Sequence, residues 1–482
     1  MLSLRLPLAR SLSAATARRS VVTTTALKAA GDISSVFPSL SGVAPAPLHP
    51  RFAALKRKYL NGRESDLQAG WERLVGELRR EVEEVKELGS KTIPSIEFKH
   101  LASASPAEIA EIKRRGVVVI RNVLPEHEAL QLKADIGDYL RENPNAKAFP
   151  AKSPAVYELY WSPSQLRARS HPSLLKAQTF LMSMWHSSSP ATQLSVQHPL
   201  TYADRLRVRL PGDSGFALGA HVDGGSLERW EDPQYSAVYN KIFRGEWEDY
   251  DAYDARHRVT ATMDLYNGAG SCAMFRMWQG WLSMSNTGPN EGTLLVNPML
   301  KHATAYFLLR PFFAPPSGST SLSNWRIPSA PTPAFPGAVP AASQEFNDKW
   351  HPHLNLEKTM THIPRVAPGD FVAWHCDTIH AVDRVHAGSG DSSVLYIPAA
   401  PLSKASAEYA VRQRNAFLSG IPPPDFPSGD GESGGGMAAV KDVIGEEGRR
   451  AMGLGTEGWS LDGLKDGERE VVEMANRTFG WA

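Results

Sequence analysis

Cysteine is nearly missing: Cys272 and Cys376 are the only two in 482 residues. Two thiols cannot build a disulfide framework or a four-cysteine zinc site. An excess of either charge is missing too. Lys plus Arg is 52 and Asp plus Glu is 51. That balance removes the basic footprint of a general nucleic-acid or membrane-surface binder. No apolar run reaches the roughly 18–20 residues of a membrane-crossing helix. There is no P-loop, no nucleophile elbow and no internal repeat. Two G-x-G-x-x-G matches, from Gly429 and Gly453, follow no predicted strand and are chance matches in glycine-rich loops. What remains is an ordinary globular composition and a small-molecule partner, with no nucleic acid and no membrane.

Acid is missing from one particular stretch. Arg5, Arg10, Arg18, Arg19 and Lys28 precede the first acidic residue, Asp32. Residues 1–31 thus have the composition of a mitochondrial transit peptide. The alternative is a disordered lead without an address, on a cytoplasmic protein. Residues 46–190 are predicted as a helical region with one strand joining the core. "DLQAGWERLVGELRREVEEVKEL" places Trp71, Leu74, Leu78 and Val82 on one helical stripe. "SPAEIAEIKRRG" carries an N-cap at Ser105 and a stop at Gly116, and the β-branched run "VVVIRNVL" follows as a buried strand.

From 195 to 401 the pattern changes to short apolar runs between Gly, Pro and Asp turns. "RLRVRL", "FALGAHVD", "VTATMDLYN", "GWLSMS", "GTLLVNP", "ATAYFLLRPFF", "DFVAWH" and "SSVLYIPA" predict strands of a sandwich or barrel. A Pro/Ser-rich insertion near 314–344 interrupts them. The acidic, aromatic segments "RWEDPQY" and "GEWEDYDAYDARHR" are expected in a lid over the site mouth or in a solvated surface insertion. Residues 402–482 are predicted as C-terminal helices around a mobile loop, "IPPPDFPSGDGESGGG". The fold class is α+β.

Chemistry concentrates in two places. "GAHVDGGS" holds His221 and Asp223, which share a face if they lie in a strand, because side chains alternate with period two. A 2-His-1-carboxylate triad needs one more histidine and keeps open positions for ligand and O2. "GDFVAWHCDTIHAVDRVH" offers His375, His380 and His386.

"GVVVIRNVLP", the "HVD" pair, and "GTLLVNP" followed by "PGDFVAWHCDTIHAV" together resemble the Fe(II)/2-oxoglutarate-dependent dioxygenase superfamily. "HVDGGSLERWEDPQY", "FRMWQGWLSMSNTGPNEGTLLVNP" and "HCDTIHAVDRVHAGSGDSSVLYIPAAP" are similar, more closely, to the YbiU-like family of uncharacterised proteins, over about residues 50–480. The resemblance implies a double-stranded β-helix (jelly-roll, cupin-like) core flanked by helices. It implies Fe(II) as cofactor, 2-oxoglutarate as cosubstrate, and O2. It places His221, Asp223 and His380 as metal ligands and catalytic centre, with His375 as a pocket wall and His386 at the rim.

One expected feature is missing again. The superfamily holds the far carboxylate of 2-oxoglutarate with an arginine ten or more residues after the distal histidine, and Gly390 to Ala400 contains no Arg or Lys. Arg207 and Arg209, two apart in "RLRVRL", are substitutes, as are Arg384 and, through hydroxyls, Ser392 and Ser393. Arg276 and Arg310 also sit in strand-like apolar runs. A charge embedded there needs a partner, either an anionic ligand or an ordinary salt bridge. Cys376 is expected to be a partly buried thiol. Trp278, Trp281 and Trp374 are expected near the pocket. Two rival functions remain: a non-catalytic jelly-roll protein that binds a metal or small carboxylate, and a zinc hydrolase using the same three ligands.

Overall fold

Period-two alternation cut by turn residues yields fifteen strands among the described residues. In chain order they are β1 (Ser95–Glu97), β2 (Val117–Arg121), β3 (Ala148–Phe149), β4 (Val156–Tyr157), β5 (Leu194–Leu200), β6 (Leu206–Arg209), β7 (His221–Val222), β8 (Trp278–Ser283), β9 (Leu294–Val296), β10 (Gln344–Glu345), β11 (Thr361–His362), β12 (Phe371–His375), β13 (His380–Val382), β14 (Ser392–Tyr396) and β15 (Ala400–Ser403). The computed structural model describes residues 37–41, 46–215, 217–268, 271–426, 432 and 435–481. The lead at 1–31 lies outside them, as does most of the glycine-rich part of the loop after Pro424.

The larger sheet runs β1-β2-β12-β8-β14-β6-β4-β3, the smaller β10-β7-β13-β9-β11, and β5 pairs with β15 apart from both. Only β1 and β2 are parallel. Take β6, β7, β8, β9, β11, β12, β13 and β14 as strands one to eight. The larger sheet then holds six, three, eight and one as neighbours, and the smaller holds two, seven, four and five. The chain therefore crosses repeatedly between the two sheets. This is a mixed α/β architecture with several sheets.

Alternation decides what each face buries. Val117, Val119, Trp281, Val372, Trp374 and Val394 of the larger sheet pack with Leu294, Val296 and Ile363 from the smaller sheet side. Ile120, Leu206, Leu282, Phe371 and Leu395 lie on the other face, against the helical layer. Each such fully buried side chain contributes about 1.5–3 kcal/mol. The entry into the sheet is set locally. Ser105 and Glu108 form a capping box, and Gly116 closes the helix Pro106–Arg115 in the left-handed region, φ 66°.

The stripe of Trp71, Leu74, Leu78 and Val82 lies on one helix, Glu64–Leu88, and is buried. Its neighbour is the helix Leu300–Leu309. Sequence reasoning expected a strand in "ATAYFLLRPFF". Ala303 through Leu309 are all buried, so the segment is apolar all round, and periodicity cannot separate such a helix from a buried strand. "VTATMDLYN" is likewise irregular, with a 3-10 turn, Arg258–Thr260, and a further turn over 263–266. The acidic, aromatic segments form neither a lid nor a surface insertion. Trp230, Tyr235, Tyr239, Trp247, Tyr250 and Tyr253 are buried in the main core on the helical side. Glu248, Asp249 and Asp251 face water, while buried Asp232 caps the helix Pro233–Val238 and the rings anchor the turns. Among the described residues, no helix is long and apolar enough to cross a membrane.

Candidate metal centre

His221 opens β7, and Asp223 follows the strand's end, two residues on. His380 opens β13 and stands directly opposite His221 in the antiparallel ladder. Two strand ends thus bring three side chains from distant sequence onto one point. Nε2 of His221 lies 3.5 Å from Asp223 Oδ1. Nε2 of His380 lies 3.6 Å from Asp223 Oδ2. One ligand atom from each residue lies within 4.8 Å of the other two.

The other ring nitrogens fix the orientation. His221 Nδ1 donates to the Gly219 carbonyl at 2.7 Å. His380 Nδ1 donates to the Thr378 carbonyl at 3.0 Å. A carbonyl only accepts, so the proton sits on Nδ1 and each Nε2 presents its lone pair. Aromatic rings hold both imidazoles in place: Phe37 packs edge-on to His221 at 4.7 Å and Trp374 lies 5.1 Å from His380. Burial, then neighbouring His380, pushes His221 down to about 4, so it stays neutral. Burial alone would raise Asp223. His380, His221 and Arg276 outweigh it and hold the carboxylate well below its ordinary range. Two imidazoles and one carboxylate are the donor set of a divalent-metal facial triad.

The loop after Asp223 is pinned from behind. Fully buried Arg229 donates to the Asp223 carbonyl at 3.1 Å and to the Gly225 carbonyl. Its Nε lies 3.9 Å from Asp377, whose carboxylate accepts from Arg258 at 2.6 Å and from the Tyr239 hydroxyl at 3.0 Å. Gly225 has φ 79°, and a Cβ there would collide with the Met263 carbonyl, so the turn requires glycine. Sequence reasoning missed Arg229, Arg258 and Asp377. The one signal was two arginines inside aromatic runs, "ERWE" and "RHRV".

A cavity of about 100 Å³ opens beside the three residues. Arg207, Arg276, Gln279, Trp281, Trp374 and Tyr396 line it from the larger sheet and its approaches. Arg207 is 1% exposed, and its Nε and Nη2 have no hydrogen-bond partner. It sits on β6 directly across from Val394 of β14. Val394 falls in the stretch after His380 where an arginine was expected and none occurs. A cation at the neighbouring strand's matching position can reach the same space.

The other named residues lie elsewhere. Arg209 is wholly buried but engaged: Nε pairs with Asp213 at 2.6 Å, and Nη1 donates to the Asp383 carbonyl at 2.8 Å. Arg384 is exposed and lies outside this cavity. Ser392 donates to the Gly292 carbonyl at 3.3 Å, and Ser393 to Asp391. Arg310 donates to the Trp350 and Phe313 carbonyls. His375 is not a pocket wall. Alternation along β12 turns Trp374 toward the cavity and His375 to the opposite face. There His375 stacks on Trp185 at 4.8 Å, and Nε2 donates to the Ala252 carbonyl at 3.0 Å. Nδ1 accepts from the Asp377 amide, so both nitrogens are engaged. His386 is buried under Gly292 and Gly388, outside the cavity lining. Cys376 lies 3.5 Å from Arg258 Nη1, and burial pushes its thiol up to about 12. Trp281 and Trp374 line the cavity, whereas Trp278 donates to the Leu181 carbonyl in the core.

Fold and site together define a mixed α/β protein carrying a buried two-histidine, one-carboxylate cluster at the edge of a cavity. The chain belongs to the Gig2-like family, whose model matches residues 46–454. It is 32% identical over 406 residues to the uncharacterised protein YbiU of Escherichia coli (strain K12), covering 81% of this chain and 92% of that protein. The crystal structure of GlcNAc Inducible Gene 2 from Candida albicans superposes with a TM-score of 0.82 at 32% identity, over 91% of this chain and 96% of that one. A Salmonella typhimurium LT2 protein, provisionally described as an oxidoreductase, gives a TM-score of 0.74 at 32% identity, over 85% and 98%.

Proposed function

We propose that this protein is a non-haem Fe(II) oxygenase that uses 2-oxoglutarate and O2 to oxidise a small molecule. The observation that carries this reading is the pairing of an oriented triad with a buried cation that no carboxylate pairs, in one cavity. His221, Asp223 and His380 present three ligand atoms to one point, and Arg207 has buried donors with nothing to bind. The strand order supports it. Strands one, eight, three and six in one sheet, and two, seven, four and five in the other, are the order of a double-stranded β-helix.

His221, Asp223 and His380 would hold the iron, which when bound with 2-oxoglutarate supplies O2 activation coupled to decarboxylation of the oxo acid. The chain's own contribution is positional. Gly219 and Thr378 carbonyls keep both imidazoles in the ligating tautomer. Arg229 holds the backbone of Asp223 and Gly225. Arg207 takes the distal carboxylate by charge-assisted hydrogen bonds from Nε and Nη2. Trp281, Trp374 and Phe37 wall the cavity and limit water. The unpartnered Arg207 also weakens the case for a protein that only stores metal, since such a site needs no buried carboxylate anchor.

The test is consumption of 2-oxoglutarate by the iron-loaded protein in air, followed as succinate. Wild type is expected to form succinate, and His380→Ala to form none above the metal-free background. Succinate from His380→Ala at the wild-type rate would refute the reading.

A further inference from the structure

Arg276 is 9% exposed and lines the same cavity as the triad. Among the described residues its guanidinium makes no hydrogen bond and no ion pair; it lies over the Tyr202 ring at 5.6 Å. Asp223 and Asp204 act on it only through space, so its donors stay open to an anion that comes to it. Arg207 likewise pairs with no carboxylate among the described residues; Tyr396 stands beside it, and its Nε and Nη2 are buried without a hydrogen-bond partner. Among the described residues the cavity therefore holds two cations without a direct ion pair, where one carboxylate anchor would suffice.

Charge balance sharpens this. The ionised side chains lining the cavity are Arg205, Arg207 and Arg276 against Asp204 and Asp223. Arg205 and Asp204 pair at 2.9 Å and offset each other. Arg207, Arg276 and Asp223 leave one positive charge over. A divalent ion adds two charges and a 2-oxo diacid removes two. One positive charge still stands in a site shielded from water. The uncharged donors point the same way: the indole N–H groups of Trp281 and Trp374 are buried without acceptors, and Gln279 lines the same wall. The surroundings demand a ligand rich in acceptors and carrying negative charge.

We infer that the oxidised substrate is a small anion, a carboxylate or phosphate ester, whose charged group is bound by Arg276. This rests on the oxygenase reading, which assigns Arg207 to the cosubstrate. Two cationic subsites then flank the metal position, one for each anion. Arg276 selects the substrate's charged end, so a neutral isostere lacking that charge is rejected. The indole N–H groups of Trp281 and Trp374 donate to the acceptor atoms that remain.

The experiment is anaerobic calorimetric titration of the Fe(II)-loaded protein with acetate, benzoate and inorganic phosphate, with and without 2-oxoglutarate. Acetamide and benzamide are the neutral controls. At least one anion is expected to bind the 2-oxoglutarate-loaded wild type, and its neutral counterpart about ten-fold more weakly or not at all. Arg276→Gln should weaken that anion about ten-fold or more while shifting 2-oxoglutarate affinity far less, and Arg276→Lys should restore part of the loss. Arg207→Gln should do the reverse. Anions that compete with 2-oxoglutarate, that bind Arg276→Gln as well as wild type, or that bind nowhere would overturn the second subsite. Failure of the oxygenase reading looks different. In that case 2-oxoglutarate does not bind the wild type, and the titrations of metal alone still report whether Arg276 takes an anion.

Discussion

His221 and His380 face each other as a directly opposed pair on neighbouring antiparallel strands, with ring centroids 4.1 Å apart. Neither could adopt this relation alone. β7 holds two residues, and its register against β13 decides whether the two imidazoles meet. A one-residue slip would turn one of them away from the cavity. The pairing of these strands is therefore a condition of assembling the His221, Asp223 and His380 cluster as well as of folding.

Replacing His380 and His375 should have opposite consequences. His380→Ala removes a ligand and is expected to abolish iron binding while leaving the fold intact. His375→Ala removes a stacked ring bonded at both nitrogens, at a cost of about 2–4 kcal/mol, and iron binding survives. Calorimetric metal titration and urea denaturation on both variants separate the two effects.

Arg207 should trade stability for binding. In the absence of ligand its buried donors are unsatisfied, and burial pushes the guanidinium below its ordinary value. Arg207→Met is expected to stabilise the ligand-free protein by about 1 kcal/mol or more. The same variant should weaken 2-oxoglutarate about ten-fold or more. The denaturation midpoint and a 2-oxoglutarate titration on one preparation check both halves.

Arg229 touches no ligand atom, yet it holds the carbonyls on either side of the turn after Asp223. Arg229→Gln is expected to lower metal affinity about 10–100-fold, as loss of an orienting residue does. Metal titration reads this directly. An unchanged dissociation constant would show that Asp223 keeps its position without that support.

Acid should destabilise the metal-free protein through its buried histidines, opposed in part by Glu228, whose carboxyl burial pushes up to about 7. Burial pushes His198, His221 and His353 down to about 4, and His351 and His375 down to about 3. Unfolded histidines titrate near 6.5. Between roughly pH 6.5 and 4 the unfolded chain thus binds up to about five more protons at these sites, and stability falls as pH falls through that window. Denaturation at pH 7, 6 and 5 gives the slope. Removing one of these histidines should lower it by about one proton.

Much of this was legible in the sequence, and the misses have definite causes. The strands Leu206–Arg209, Trp278–Ser283 and Phe371–His375 announced themselves by alternation between turn residues. The helix Leu300–Leu309 did not, because an all-apolar segment carries no period. Proximity of His221 and Asp223 followed from strand geometry. The third member of the cluster could be narrowed only by resemblance, since His375 and His380 are five apart and the turn between them decides which faces inward. Arg207 was one of several arginines of equal standing. Only a tertiary fact separates it from Arg209: Arg209 has Asp213 beside it, and Arg207 has a cavity. The Asp377, Arg258 and Arg229 network was invisible for the same reason, being spread over some 150 residues of chain.

The central claim is that His221, Asp223 and His380 hold an iron ion to which 2-oxoglutarate binds. Anaerobic titration of the Fe(II)-loaded protein with 2-oxoglutarate tests it most directly, by the weak metal-to-ligand charge-transfer absorption that chelation produces. A band is expected in wild type, none in His380→Ala, and a right-shifted titration in Arg207→Gln. A colourless wild-type titration, or a band that persists in His380→Ala and disappears in His375→Ala, would contradict it.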